Sequence, residues 1–77
     1  MEELLAYLAR SLVDDPGAVN VESFEEDDGT VVLELHVAAA DAGKVIGRGG
    51  RTVAALRTVM KAAAVREERR VLVDVVD

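Results

Sequence analysis

The chain has 77 residues, no cysteine, one histidine and a formal net charge of −6. That length holds one domain with a modest core and leaves no room for a separate catalytic domain, and the missing cysteines exclude disulfides and thiolate metal sites. Net acidity argues against a polyanion-binding surface spread over the whole molecule, and no apolar run approaches a membrane span.

The first residues, Met1-Glu2-Glu3, are acidic where a secretory leader is basic, so a soluble cytoplasmic protein is expected. Glu2 to Val13 reads as a helix, with Leu4, Leu8 and Leu12 at spacing four, Leu5 beside them and acids at the favourable end. Asp15-Pro16-Gly17 stops it. Val19 to Phe24 alternates as a short strand, and Glu25-Glu26-Asp27-Asp28-Gly29 predicts a solvated hairpin tip. That acidic run lacks the ligand spacing of a calcium loop. Thr30 to Ala38 is the clearest strand, with Val31, Leu33, Leu35 and Val37 on one face and Val32, Glu34 and His36 on the other. A single histidine leaves no room for a histidine-based metal cluster, and His36 has no nucleophile or acid partner in the sequence, so it reads as a surface residue.

Asp41 is placed to cap a short helix over Ala42 to Ile46 that breaks at Gly47. Gly43 inside it costs about 1 kcal/mol relative to alanine, which calls for either close packing or a contact with a ligand. A second helix begins at Arg51, with Val53, Leu56, Val59, Met60 and Ala63 as its inward stripe and Arg57, Thr58 and Lys61 left for water. Val71 to Val76 forms a last strand, Val71, Val73 and Val75 sharing a face. The order helix, strand, strand, helix, helix, strand predicts an α+β domain spanning residues 1–77, its three-stranded sheet covered by helices.

Between the two central helices lie Gly47, Arg48, Gly49 and Gly50. Glycine removes the Cβ that would hold a phosphate away from main-chain N–H groups, and the N-terminus of the next helix points its unpaired N–H groups at the same place. Lys44, Arg48 and Arg51 add charge, and no acid occurs from Lys44 to Lys61. The chain is electrically polarised: residues before Asp41 hold one cation against ten acids, and those from Asp41 on hold eight cations against five. An anion-binding corner follows. A P-loop is excluded, because Val45 stands where its first glycine belongs and its lysine is missing. A dinucleotide-binding turn is excluded too, since it follows a strand, needs a small residue where Thr52 stands, and requires a larger parallel sheet. A Gly-x-x-Gly turn between two helices remains.

Gly43-Lys44-Val45-Ile46-Gly47-Arg48-Gly49-Gly50-Arg51-Thr52 resembles the helix-loop-helix core of a KH domain, and the element order resembles its type II arrangement. With Val32-Leu33-Glu34-Leu35 and the closing Val71 to Asp77, the likeness narrows to the small bacterial KhpA family of RNA-binding proteins. That resemblance implies single-stranded RNA held by its backbone at Gly47 to Gly50, with Arg48, Lys44 and Arg51 near the phosphates. Gly43, Val45 and Ile46 would lie along an apolar floor for about four bases, with the sheet and the turn near Asp28 and Gly29 as the opposite wall. It also implies a homodimer, or a heterodimer with a larger KhpB or Jag-type protein. No cofactor, metal or catalytic residue is expected: Ser11, Ser23, Thr30, Thr52 and Thr58 have no identifiable activator. A protein-interaction domain with little RNA binding is the alternative.

Overall fold

Alternation of Val31, Leu33 and Leu35 with Val32, Glu34 and His36 makes a strand with one dry and one wetter face, and the other elements are arranged around it. A computed structural model describes residues 1–76. It sets this strand, β2 (Val31–His36), at the centre of a three-stranded sheet. β1 (Asn20–Glu25) joins it through a hairpin and runs antiparallel, with Glu22 opposite Glu34 and Asn20 opposite His36. β3 (Val71–Val76) pairs in parallel on the other side, Leu33 beside Val73 and Glu34 beside Asp74. A parallel partner needs a long crossover, supplied by α2 (Ala42–Ile46), the glycine-rich loop and α3 (Arg51–Arg66). α1 (Glu2–Arg10) packs on β1 and β2, and α2 and α3 pack on β3. The predicted α+β architecture and element order are those observed.

Leu5 and Ala9 of α1, Leu33 and Leu35 of β2, Val45 of α2, Met60 and Ala64 of α3, and Val71 and Val73 of β3 close one apolar core. Two helices meet it on faces that local pattern alone does not fix. α1 buries Leu5, Ala6 and Ala9, while Leu4 and Leu12 stay partly exposed, because the helix turns the side centred on Leu5 toward the sheet. It also ends at Arg10, short of Val13: the Ser11 hydroxyl donates to Tyr7 O, and Leu12 N bonds to Ala9 O, which tightens the last turn. In α3 the inward positions are Val53, Leu56, Met60 and Ala64; Val59 is 44% exposed, and Ala64 takes the place predicted for Ala63.

The acidic turn folds as a hairpin tip. Glu26 N bonds to Thr30 O, Gly29 takes φ 86°, and Asp28 Oδ1 accepts from Thr30 N at 2.9 Å. At the other end of the sheet's crossover, α3 is closed by Glu68 N donating to Val65 O and Arg69 N to Ala64 O. That closure requires a left-handed residue at position 68, and glutamate supplies it at φ 57°. Only glycine does so without strain. Replacing Glu68 with Gly is expected to stabilise the fold by about 0.5–1 kcal/mol, read as a higher urea midpoint at unchanged slope.

Candidate nucleic-acid interface

α2 stops because Gly47 leaves helical space at φ 78°, ψ 172°, a region open essentially to glycine alone. Its N–H still reaches back to Gly43 O at 2.8 Å. Gly49 (φ 65°, ψ 19°) and Gly50 (φ 77°, ψ 13°) are both left-handed, and Gly50 N closes a turn onto Gly47 O at 3.1 Å. The result is a tight link between α2 and α3. A Cβ on Gly47 would collide with the Thr52 side chain and come within 2.8 Å of the Thr52 nitrogen, whereas Cβ atoms on Gly49 and Gly50 would meet nothing within 4 Å. Thr52 therefore fills the space above Gly47. The backbone of Gly49 and Gly50 is left open to approach from solvent.

Arg48 and Arg51 flank the link, both exposed, and among the described residues neither pairs with a carboxylate. α3 starts immediately behind them, so its N-terminal N–H groups and dipole add to the same positive corner.

Lys44 is held differently from the two arginines. Its Nζ lies 2.6 Å from Asp14 Oδ2 and 3.2 Å from Asp41 Oδ1, and these hydrogen bonds, Asp14 first, raise its pKa against the opposing pull of burial. Asp41 stands at the predicted N-cap position of α2, but its side chain makes no cap hydrogen bond. Its carboxylate is almost wholly buried and accepts from Asp14 N at 3.2 Å and Asp15 N at 3.0 Å, groups in the α1–β1 connection. Burial pushes the Asp41 carboxyl up, but these two N–H donors and Lys44 outweigh it and hold the pKa below the ordinary value. Asp14, Asp41 and Lys44 thus tie α2 to the segment that follows α1.

A groove begins beside Ile46, the residue before the loop, and follows the line where α3 faces β3, an edge strand of the sheet. Ile46, Val53, Arg57, Asp74, Val75 and Val76 line its near end, and Lys61, Val71 and Leu72 continue it. Arg57 Nε donates to Val73 O at 3.2 Å, which fixes the guanidinium at the strand edge. At the far end Arg69 and Arg70 meet Glu26 and Asp28 of the hairpin tip. There Arg69 pairs with Glu25 at 2.9 Å and Arg70 with Asp28 at 3.3 Å.

The ten residues Gly43 to Thr52 therefore divide. Gly47, Arg48, Gly49, Gly50 and Arg51 make the open corner, and Ile46, 41% exposed, lines the groove beside it. Val45 has no exposed surface and supports α2 from within the core, so it forms no part of the accessible floor. Thr52 braces Gly47, and Lys44 is engaged by two carboxylates. Gly43 is exposed, and a Cβ there would meet nothing within 4 Å, so close packing does not require glycine at this position. Arg57 and Lys61 were assigned to water from helical periodicity. That signal separates core from surface but cannot say which surface positions face β3.

A profile of the family described as "KhpA/KhpB, KH domain" matches residues 2–75. The chain belongs to that family. It is 49% identical over 76 residues to "RNA-binding protein KhpA" of Clostridium acetobutylicum, covering 99% of this chain and 100% of the relative. The protein of the same name from Treponema pallidum is 46% identical over 76 residues, covering 99% and 94%, and that from Halalkalibacterium halodurans is 47% identical over 78 residues, covering 100% of each. The KhpA likeness drawn from Gly43 to Thr52 and the element order is thereby established, and these relatives carry an RNA-binding name, not an enzymatic one. Among the described residues no helix is long and apolar enough to cross a membrane.

Two outcomes follow from the glycine geometry. Gly47→Ala should destabilise by about 2–4 kcal/mol, through the backbone region it occupies and the collision with Thr52. Gly43→Ala should stabilise by about 0.5–1 kcal/mol, since it gains helix propensity at no steric cost; urea melts of the two variants check both signs. The Asp41–Lys44 tie has a defined pH window. Asp41 is depressed below 3.8, so its contribution is present above that value and disappears as pH falls through the lower folded value. Lys44 is raised above 10.5, so its contribution is full below 10.5 and is lost as pH climbs through the folded value. Asp41→Asn should lower the urea midpoint near neutral pH, and the gap to wild type should narrow as pH is taken down through and below 3.8.

Proposed function

We propose that the chain acts as one KH domain that binds single-stranded RNA, gripping about four nucleotides by the sugar-phosphate backbone at Gly47, Arg48, Gly49 and Gly50. The observation that carries this reading is the open backbone of Gly49 and Gly50 between two exposed arginines without carboxylate partners, at the mouth of a groove with an apolar near end. The RNA-binding names of the relatives support it.

In this reading Arg48 and Arg51 meet phosphates, Ile46 and Val53 meet the faces of bases, and Arg57 and Lys61 flank the strand as it passes along β3. Gly43 presents its bare backbone beside the bound nucleotides. Lys44 contributes charge only where a phosphate displaces Asp14, the more exposed of its two partners. The physiological role is that of a cytoplasmic post-transcriptional regulator or RNA chaperone. It works as a homodimer or with a KhpB or Jag-type partner, and no cofactor takes part.

The alternative, a domain whose main task is dimerisation, is favoured by Leu12 and Val59, 38% and 44% exposed beside an apolar groove between α1 and α3. RNA binding separates the two readings. Replacing Arg48 and Gly49 together by Asp should weaken binding to a pool of labelled single-stranded RNA at least about tenfold by reversing charge at the phosphates. The fold should survive, because aspartate tolerates the left-handed region better than most residues. With two or three phosphate contacts, log affinity should fall against log salt with a slope of about −1.4 to −2. Unchanged binding by the double variant refutes the site, and a much steeper slope assigns binding to another surface. Gly43→Ala, more stable than wild type, should bind less well, which separates a lost contact from a lost fold.

A further inference from the structure

The sheet face turned away from the helices carries like charges in register. Glu22, Glu34 and Asp74 stand in one row across the three strands, an arrangement that costs stability when nothing offsets it. His36 stands two residues beyond Glu34 on the same face of β2, two pairs along the ladder. Its Nε2 is 3.7 Å from Glu34 Oε1 and 3.9 Å from Glu22 Oε1. Neither distance is a hydrogen bond. Although the His36 side chain is 33% exposed as a whole, this nitrogen is buried and has no hydrogen-bond partner among the described residues. The nitrogen therefore faces both carboxylates with no hydrogen bond of its own among the described residues.

We propose that Glu22, Glu34 and His36 form a binding site for a divalent cation of the zinc type, with His36 Nε2 and one carboxylate oxygen from each glutamate as protein ligands and water completing the shell. Ligand spacing fits. Around a tetrahedral zinc with bonds of about 2.0–2.2 Å, neighbouring ligand atoms stand about 3.3–3.6 Å apart. The three atoms here lie within 4.8 Å of one another, and the two distances to nitrogen exceed the tetrahedral spacing by only a few tenths of an ångström. Side-chain rotations of Glu22 and Glu34, both partly exposed, would close that gap and admit the ion to the nitrogen. Donor chemistry selects the metal class: imidazole with carboxylates suits zinc and its borderline neighbours, whereas calcium takes six to eight oxygens.

A single histidine excludes a polyhistidine cluster, yet it leaves this mixed set possible. Glu22 reaches the site only because the hairpin sets it opposite Glu34. The bound ion would cross-link β1 and β2 and offset the carboxylate row.

Titrating zinc chloride into the 77-residue chain calorimetrically, at about pH 7.5 in a non-chelating buffer, tests the site. Wild type should take up one equivalent, and its thermal midpoint should rise by about 5 °C or more at saturating zinc. His36→Asn and Glu34→Gln should each weaken uptake at least about tenfold while melting, without zinc, within a few degrees of wild type. Glu26→Gln, at the acidic hairpin tip, should bind as wild type does. Absence of uptake by wild type overturns the site. Uptake unchanged in His36→Asn, or lost equally in Glu26→Gln, assigns the metal to the acidic hairpin and overturns it as well.

Discussion

The junction at Gly47 is the constraint on which the rest of the candidate site depends. α2 has only five residues, too few to persist as an isolated helix, so its position is imposed from outside. Val45 anchors it in the core, the Asp14–Asp41–Lys44 cluster ties it to the connection after α1, and Gly47 turns the chain so that α3 starts at once. Thr52 packs where a Cβ on residue 47 would have been. With that turn fixed, Gly49 and Gly50 follow as left-handed residues, and their backbone faces outward between Arg48 and Arg51.

An acidic chain keeps a positive corner by spending its carboxylates elsewhere. Asp14 and Asp41 take Lys44, Glu25 takes Arg69, and Asp28 takes Arg70. The Asp28 carboxyl is held below its ordinary value chiefly by Thr30, with Arg70 a lesser cause, so the hairpin tip stays charged and its arginine stays engaged through the neutral range. What remains without a carboxylate partner among the described residues includes Arg48, Arg51, Arg57 and Lys61, which lie at the loop and along the groove. Screening over a Debye length of about 8 Å separates this strip from much of the remaining acid, so the net charge of −6 and a local attraction for phosphate coexist.

What the sequence made legible was what neighbouring residues decide. β2 and β3 follow from strict alternation, and the bounds of α2 follow from glycine punctuation, so these were read within a residue or two of their observed positions. The hidden features are those that depend on residues far apart in the chain. Asp41 looked like a helix cap because its partners at Asp14 and Asp15 lie 27 and 26 residues away. The spacing of Leu4, Leu8 and Leu12 marks a helix but not the direction its stripe faces, and the sheet meets the side centred on Leu5. Arg57 and Lys61 looked like solvent positions because only the docking of α3 beside β3 makes that side of the helix a wall.

The composition of the groove also bears on how the proposed RNA contact would work. The two aromatics of the chain, Tyr7 on α1 and Phe24 on β1, lie outside the residues that line it. Base stacking on aromatic rings, worth about 1–3 kcal/mol per base where it occurs, is therefore missing, and aliphatic contacts at Ile46 and Val53 are weaker substitutes. Phosphate contacts at the loop, as proposed, would position a strand without reading its sequence. Reading must come from groups at the β3 edge, where Asp74 offers an acceptor to base amino groups and at the same time repels phosphate. A single groove of this kind binds loosely, and linking it to a second module multiplies affinity through effective concentration without new contacts in the groove. In the proposed reading, self-association or a larger partner would be the physical means by which so small a domain holds RNA for long.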